Sequence, residues 1–291
     1  MSDVIAQQAL AQAAALPPLL LEALRVAQTV RMGQHGQRRV GGSESFWQYR
    51  LYEGGDPAAM VDWTQSARGD LLFIRQRELE AVQTTYLWAD RSGSMHYRST
   101  PELPMKTERA HVLMLALAQL LLRGGERTSW LLPRPVTGQS LAGFHNLAAH
   151  VLPIPKLEEN LPPDVPLARY AHMVLCSDFL AAPEVWERRL RGYAAENIRG
   201  ILLHLADPEE EFPSFQGRVR VEGCENESPV LLPQAQAVRA DYRKRVEDHQ
   251  ALLKEMARSA GWTYLHHITN QPAPAALLQL HNFLTAPRRG F

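Results

Sequence analysis

From residue 82 to the end of the chain, short apolar runs alternate with longer amphipathic ones. Val82 to Ala89 (VQTTYLWA) is β-branched and aromatic and predicts a strand. Pro104 opens a helix that runs to Arg123, and Gly124-Gly125 ends it. Thr128 to Leu132 predicts a second strand, Gly138 to Val151 a helix, and the Pro-rich residues 153 to 166 a loop. Ala171 to Cys176 (AHMVLC) is apolar enough for a central strand, and Pro183 starts a helix that ends near Gly192. Gly200 to Ala206 predicts a fourth strand, and Val219 with Val221 a short edge strand. Ala235 to Ala260 reads as a long amphipathic helix with Gly261 just past its end. Trp262 to Ile268 and Ala273 to Leu284 give a last strand and a last helix. This alternation predicts an α/β fold: a doubly wound, mostly parallel sheet with helices on both faces, joined by right-handed crossovers. In such sheets ligands bind at the carboxyl ends of the strands, so the residues just after each strand are the ones to inspect.

The first 80 residues lack that rhythm. Residues 4 to 30 mix Ala, Leu, Val and Ile with Gln and Glu around Pro17-Pro18, which predicts one or two short helices. Residues 31 to 45 are rich in Gly, Gln and Arg and read as extended chain, and a short strand is expected at Leu71 to Ile74. The expected organisation is therefore an N-terminal helical and extended arm over 1–80, packed on an α/β domain over 81–291. The string from Tyr49 to Arg77 has few aliphatic residues and is too small to fold alone. Its Arg50, Arg68, Arg75 and Arg77 interleave with Asp56, Asp62 and Glu78, beside Tyr49, Tyr52 and Trp63. Ion pairs and stacking would tie such an arm down.

Composition narrows the function. Lys plus Arg and Asp plus Glu each number 31 in 291 residues, so no basic surplus marks a general nucleic-acid or anionic-membrane binder. A hydrophobic share of 45% excludes a disordered or fibrous chain. The two cysteines, Cys176 and Cys224, have no partners at zinc spacing, and free thiols fit a reducing compartment. None of the eleven histidines stands in a metal-ligand spacing such as His-Glu-x-x-His. Arg31, His35, Arg38 and Arg39 read as a solvated loop. The longest apolar run, Val112 to Leu122, is about half the roughly 20 residues of a membrane span. The N-terminus has no early Lys or Arg, and its apolar stretch is broken by Gln7, Gln8 and Gln12. The expectation is a cytoplasmic protein without a membrane span.

The strand ending at Ala89 runs into Asp90-Arg91-Ser92-Gly93-Ser94, one carboxylate and two hydroxyls at alternate positions on a tight loop. Oxygen ligands of this kind suit a hard cation, Mg²⁺ or Mn²⁺. Asp178 follows the strand 171–176 and offers a second acid. A third loop should follow strand 128–132, where Thr137 is the candidate and Thr128 and Ser140 compete with it. Taken singly, Asp90 and Asp178 also fit helix caps or Asx turns. A haloacid-dehalogenase-type Asp-x-Asp is missing because position 92 is Ser, which removes the general acid. No Walker-type phosphate loop, Gly-x-Ser-x-Gly or strand-linked Gly-x-Gly-x-x-Gly is present.

The arrangement resembles the metal-ion-dependent adhesion site of the von Willebrand factor type A domain, with Asp90, Ser92 and Ser94, then Thr137, then Asp178 in the family's positions. Tyr49-Arg50-x-Tyr52-x-x-Gly55-Asp56, Asp62-Trp63-x-x-Ser66-Ala67-Arg68 and Leu72-x-x-Arg75 resemble the signature of the bacterial family catalogued as domain of unknown function 58. Gly261-Trp262-x-Tyr264, Thr269 and Pro272 are similar as well, while Phe46-Trp47-Gln48 and Ala58-Ala59 depart from it. The resemblance implies a non-enzymatic interaction module with a Mg²⁺ site, partnering a MoxR-type AAA+ ATPase in complex assembly or stress response. The alternatives are a metal-dependent hydrolase or phosphotransferase, and a structural protein with a vestigial metal loop.

Overall fold

The computed structural model describes residues 18–34, 47–53, 56, 61–67, 69, 71–77, 84–152, 161–221, 223 and 229–285. The expected helix over 4–17, the extended stretch over 35–45, the start of the first strand at Val82, the loop over 153–160, Arg68 and Cys224 lie outside them. The elements are α1 (Pro18–Gln34), β1 (Trp47–Leu51), α2 (Trp63–Ser66), β2 (Phe73–Arg77), β3 (Thr84–Ala89), α3 (Lys106–Arg123), β4 (Arg127–Trp130), β5 (Val136–Gly138) and α4 (Leu141–Val151). They continue with β6 (His172–Ser177), α5 (Pro183–Ala195), β7 (Arg199–Ala206), α6 (Pro208–Glu211), β8 (Val219–Val221), β9 (Val230–Leu232), α7 (Ala235–Ser259), β10 (Thr263–Ile268) and α8 (Ala273–Thr285).

Six strands form one sheet in the order β10-β7-β6-β3-β4-β5, parallel throughout except for the antiparallel pair β4–β5. Because side chains alternate across a strand, each central strand feeds two cores. Leu87, Ala89, Val174, Cys176, Ile201, Leu203 and Leu205 pack in the layer with α1, α3, α4 and α8. Tyr86, Trp88, Met173, Leu175 and Leu202 pack in the layer with α5 and α7. The mixed α/β fold with a mostly parallel sheet and helices on both faces is therefore as the alternation predicted. The run Val112 to Leu122 is buried all round, which is why α3 carries no polar stripe there. In α1, Leu20, Ala23, Val26, Ala27 and Val30 recur at helical spacing and join the same core.

Three features differ from the expectation. The residues after β4 turn back at once and form β5, a strand of 3 residues too short to leave a periodic pattern. Val219 and Val221 pair with β9 in a separate two-stranded sheet and add no edge to the main one. The chain also divides at two places: residues 1–33 group with 83–291, and residues 34–82 form a second unit. Helix α1 therefore belongs with the α/β unit, because its apolar stripe is needed to cover α3.

The small unit is an antiparallel pair, β1 with β2, in which Leu51 faces Phe73 and Trp47 faces Arg77. Asp62 caps α2 by accepting from the Thr64 and Gln65 amides, and Ser66 Oγ accepts from the Phe73 amide at 2.9 Å. Val61 and Ile74 are its buried apolar residues among those described.

The two faces of the sheet leave little slack where α7 turns into β10. Gly261 has φ 69° and closes the helix in the left-handed conformation, as its position predicted. Trp262 then lies over Gly200, stacks on Tyr193 and donates from Nε1 to the Ile198 carbonyl at 3.1 Å. A Cβ at Gly200 would stand 2.5 Å from both the Met173 carbonyl oxygen and the Trp262 ring. Gly200→Ala is expected to lower unfolding free energy by about 1–3 kcal/mol in chemical denaturation. Gly192→Ala, in helix α5 with open space around it, should instead raise stability by about 0.5–1 kcal/mol.

Candidate functional site

Strands β3 and β6 pair in register, with Ala89 opposite Cys176, so their following residues emerge together. The Asp90 amide donates to the Cys176 carbonyl at 2.8 Å, extending the ladder by one residue. The Asp90 carboxylate is then fixed from two sides. Oδ1 accepts from the Ser92 amide at 2.8 Å, and Oδ2 accepts from Ser177 Oγ at 2.6 Å. Ser177 Oγ in turn accepts from the Phe179 amide at 2.8 Å. Phe179 has φ 56°, a left-handed turn that sends the chain away just after Asp178, and its ring is held against Trp186.

The loop after Asp90 is tied down along its length. The Met95 carbonyl accepts from both the Thr107 amide and Thr107 Oγ1, at 2.9 and 2.7 Å. His96 Nδ1 lies 3.0 Å from the Ser92 carbonyl, and the Ser99 amide donates to Asp207 Oδ2 at 3.0 Å. Ser92 Oγ and Ser94 Oγ stand 3.1 Å apart. Neighbouring oxygens of an octahedral Mg²⁺ with bonds of 2.1 Å are separated by about 3 Å, so this pair fits two adjacent corners. Together with Asp90 it is a hard, all-oxygen donor set. Among the described residues no group of three His, Cys, Asp or Glu converges as a metal site. Any cation here would depend on the two hydroxyls, the Asp90 carboxylate and water.

Asp178 is engaged differently. Lys106, the first residue of α3, is fully buried, and its Nζ donates to Asp178 Oδ2 at 3.0 Å and to Glu210 Oε1 at 2.6 Å. Glu210 Oε2 accepts from the Asp207 amide at 2.8 Å. His249 Nε2 lies 3.0 Å from the Asp178 carbonyl. Burial alone would lower the Lys106 ammonium, but Asp178 and Glu210 outweigh it and hold it above its usual value. Burial pushes the Asp90 carboxyl up; the Ser177 hydrogen bond opposes this and Asp178 adds to it. Burial, then Asp207 and Glu210, push the Tyr97 hydroxyl up to about 12. Burial raises the Cys176 thiol far enough to make it an inert core group.

The structure thus brings together Asp90, Ser92, Ser94 and Asp178. It does not bring Thr137 to them. Thr137 lies on β5 opposite Ser129, which is level with Tyr86, four positions before Asp90. At roughly 3.3 Å per residue that is about 13 Å down the sheet. Thr137 Oγ1 is 2.9 Å from Ser129 Oγ. The competitors lie no nearer: Thr128 is level with Thr85, and Ser140 caps α4 by accepting from the Gly143 amide. The turn that does leave the carboxyl end of β4, Leu131 to Pro135, carries no hydroxyl. Sequence reasoning missed Lys106, Asp207 and Glu210. Asp207 directly follows a strand that was expected, so the rule applied to Asp90 and Asp178 finds it. Lys106 carries a subtler mark, a positive charge in the first turn of a helix, where the dipole disfavours it.

The pattern of the family described as "Protein of unknown function DUF58" matches residues 48–252. Uncharacterized proteins of Mycobacterium bovis and Mycobacterium tuberculosis are each 25% identical to the chain over 96% of its length and 90% of their own. Among solved structures, the conserved hypothetical protein BatB from Bacteroides thetaiotaomicron aligns with 70% of this chain and 100% of its own, at a TM-score of 0.38 and 14% identity. An aerotolerance-related membrane protein from Bacteroides fragilis covers 69% of this chain and 97% of its own, at 0.40 and 12%. An uncharacterized membrane spanning protein from Vibrio fischeri covers 70% and 100%, at 0.19 and 12%. The last two carry membrane-related names, against the cytoplasmic assignment made from the sequence, which is withdrawn. No helix among the described residues is long and apolar enough to cross a membrane.

Asp90 gives the site a pH signature. Its folded pKa lies above the ordinary aspartate value of 3.8, so the folded state holds this proton more tightly than the unfolded chain does. Its contribution is fully present below 3.8 and is lost as pH rises through the raised folded value. Asp90→Asn, which keeps the shape without the charge, is expected to melt at or above the wild-type temperature at pH 7 in EDTA. The difference should close as pH falls toward 3.8. Thermal unfolding from pH 3.5 to 8 checks this.

Proposed function

The chain belongs to the DUF58 family, and from that premise we propose that it is a non-enzymatic protein-interaction module acting through the carboxyl end of its sheet. In this reading the α/β unit is a von Willebrand factor type A-like domain. The loop residues Asp90, Ser92 and Ser94 hold one Mg²⁺ or Mn²⁺, with Asp178 behind them. The partner class is the one the sequence resemblance implies, a MoxR-type AAA+ ATPase. The observation that carries the reading is the placement of a loop carboxylate and two hydroxyls 3.1 Å apart beside the acid of the neighbouring strand.

When bound, the cation supplies a positive point to which an acidic side chain of a partner is drawn. The protein's own residues do the positioning. Ser177 and the Ser92 amide fix the Asp90 carboxylate, and the Thr107 contacts with Met95 hold the loop in place. With Asp90 the single carboxylate of the Asp90–Ser94 turn, the bound ion retains positive charge, and an acidic group from outside is the natural complement. Thr137 plays no part in this reading. Linkage then makes the ion and the partner strengthen each other's binding by the same factor.

Asp90→Ala is expected to abolish Mg²⁺-dependent retention of the ATPase while leaving the far-ultraviolet circular dichroism unchanged. A pull-down from native lysate, wild type against variant with and without Mg²⁺, reads the effect. Equal retention of the ATPase by both proteins, at saturating and at zero Mg²⁺, would remove the adhesion-site mechanism.

A further inference from the structure

Two acids contributed by different elements, Asp178 just after β6 and Glu210 in α6, converge on one fully buried ammonium, 3.0 and 2.6 Å from Lys106 Nζ. Bridging two carboxylates from separate loops is the task a divalent ion performs in an acidic site. Lys106 stands at the first residue of α3, where the helix dipole opposes a cation and no intrahelical gain explains it. Burying an ammonium is costly unless it is paired and hydrogen-bonded on several sides. Here it is so paired, and the loop is built to allow it. The Lys106 amide donates to the Tyr97 carbonyl at 3.1 Å, and the neighbouring Thr107 holds Met95.

From this geometry we infer that Lys106 is the resident cation of the site, neutralising Asp178 and Glu210 in place of a metal and confining any divalent ion to the Asp90, Ser92 and Ser94 loop. The first half stands on the Lys106 contacts alone; the second half rests on the adhesion-site reading above. A divalent ion ligated directly by Asp178 Oδ2 would lie within a few ångströms of Nζ, and the like charges would repel. Asp178 Oδ1 faces the Leu180 amide at 3.4 Å. The acidic end of the sheet is thereby divided into an ammonium half and a loop half. Asp90 is the acid that the Asp90–Ser94 turn itself offers to offset an ion, so the site binds a free ion weakly and favours one that arrives with an anionic partner group.

Mn²⁺ titration followed by electron paramagnetic resonance tests this with the full chain. In the Asp90→Ala background the loop half is removed. Adding Lys106→Met to that background should create a Mn²⁺ site at Asp178 and Glu210, at least ten-fold tighter than in Asp90→Ala alone. Lys106→Arg, which keeps the charge, should create none. In EDTA, Lys106→Met should lower the melting temperature by about 6–20 °C, the range for breaking a buried ion pair in a domain of this size, and Mn²⁺ should restore part of it. Lys106→Gln, which retains a donor to the carboxylates, gives the same reading if the methionine variant does not fold. No gain in Mn²⁺ affinity on removing the charge, or an equal gain with arginine, would overturn the inference. The two readings stay separable, because the loop is tested by the loss on Asp90→Ala in the wild type and Lys106 by the gain in the Asp90→Ala background.

Discussion

Ser177 Oγ stands between two loops, giving a hydrogen bond to Asp90 Oδ2 and taking one from the Phe179 amide. This exchange is possible because β3 and β6 pair with Ala89 opposite Cys176. A shift of that pairing by one residue would turn every side chain of β3 to the other face and exchange the two cores. Leu87 and Ala89 on one face, Tyr86 and Trp88 on the other, therefore hold the register that places Asp90. The site is a by-product of core packing on both sides of the sheet, and its polar contacts then lock what the packing has aligned.

That division explains what was legible in the sequence. Strands such as Ala171 to Cys176 announce themselves through continuous apolar residues, and Asp90 and Asp178 follow from where those strands stop. β5 did not, because three residues carry no period, and the assignment of Thr137 failed with it. Thr137 reads as a loop residue ahead of a helix, yet pairing with β4 carries it back down the sheet. Lys106 was invisible for another reason. Its role depends on Asp178 and Glu210, which are distant in the chain and meet only when β6, α6 and the start of α3 converge. Local pattern records which face a residue prefers; it does not record which distant charge will meet it there.

The carboxyl end of the sheet is built against the preference of charged groups for water. Asp90, Asp178 and Lys106 are all buried, and each is stabilised by contacts that belong to another element. Well-packed apolar residues in place of a buried ion pair are often as stabilising or more so. What such an arrangement gives is position: carboxylates and an ammonium with few alternative partners hold one geometry. The extensive apolar core around α3 supplies the stability that the polar end does not.

The short strand β5 has an effect on how the molecule meets its own copies. Sheet edges with unpaired backbone groups recruit further strands, and long flat edges seed aggregation. Here the outer strand on one side is three residues long and is approached through Pro133 and Pro135, which have no amide hydrogen to offer. Sheet growth past β5 would find almost no ladder to continue, so that side of the α/β unit is blunted against fibre-like addition.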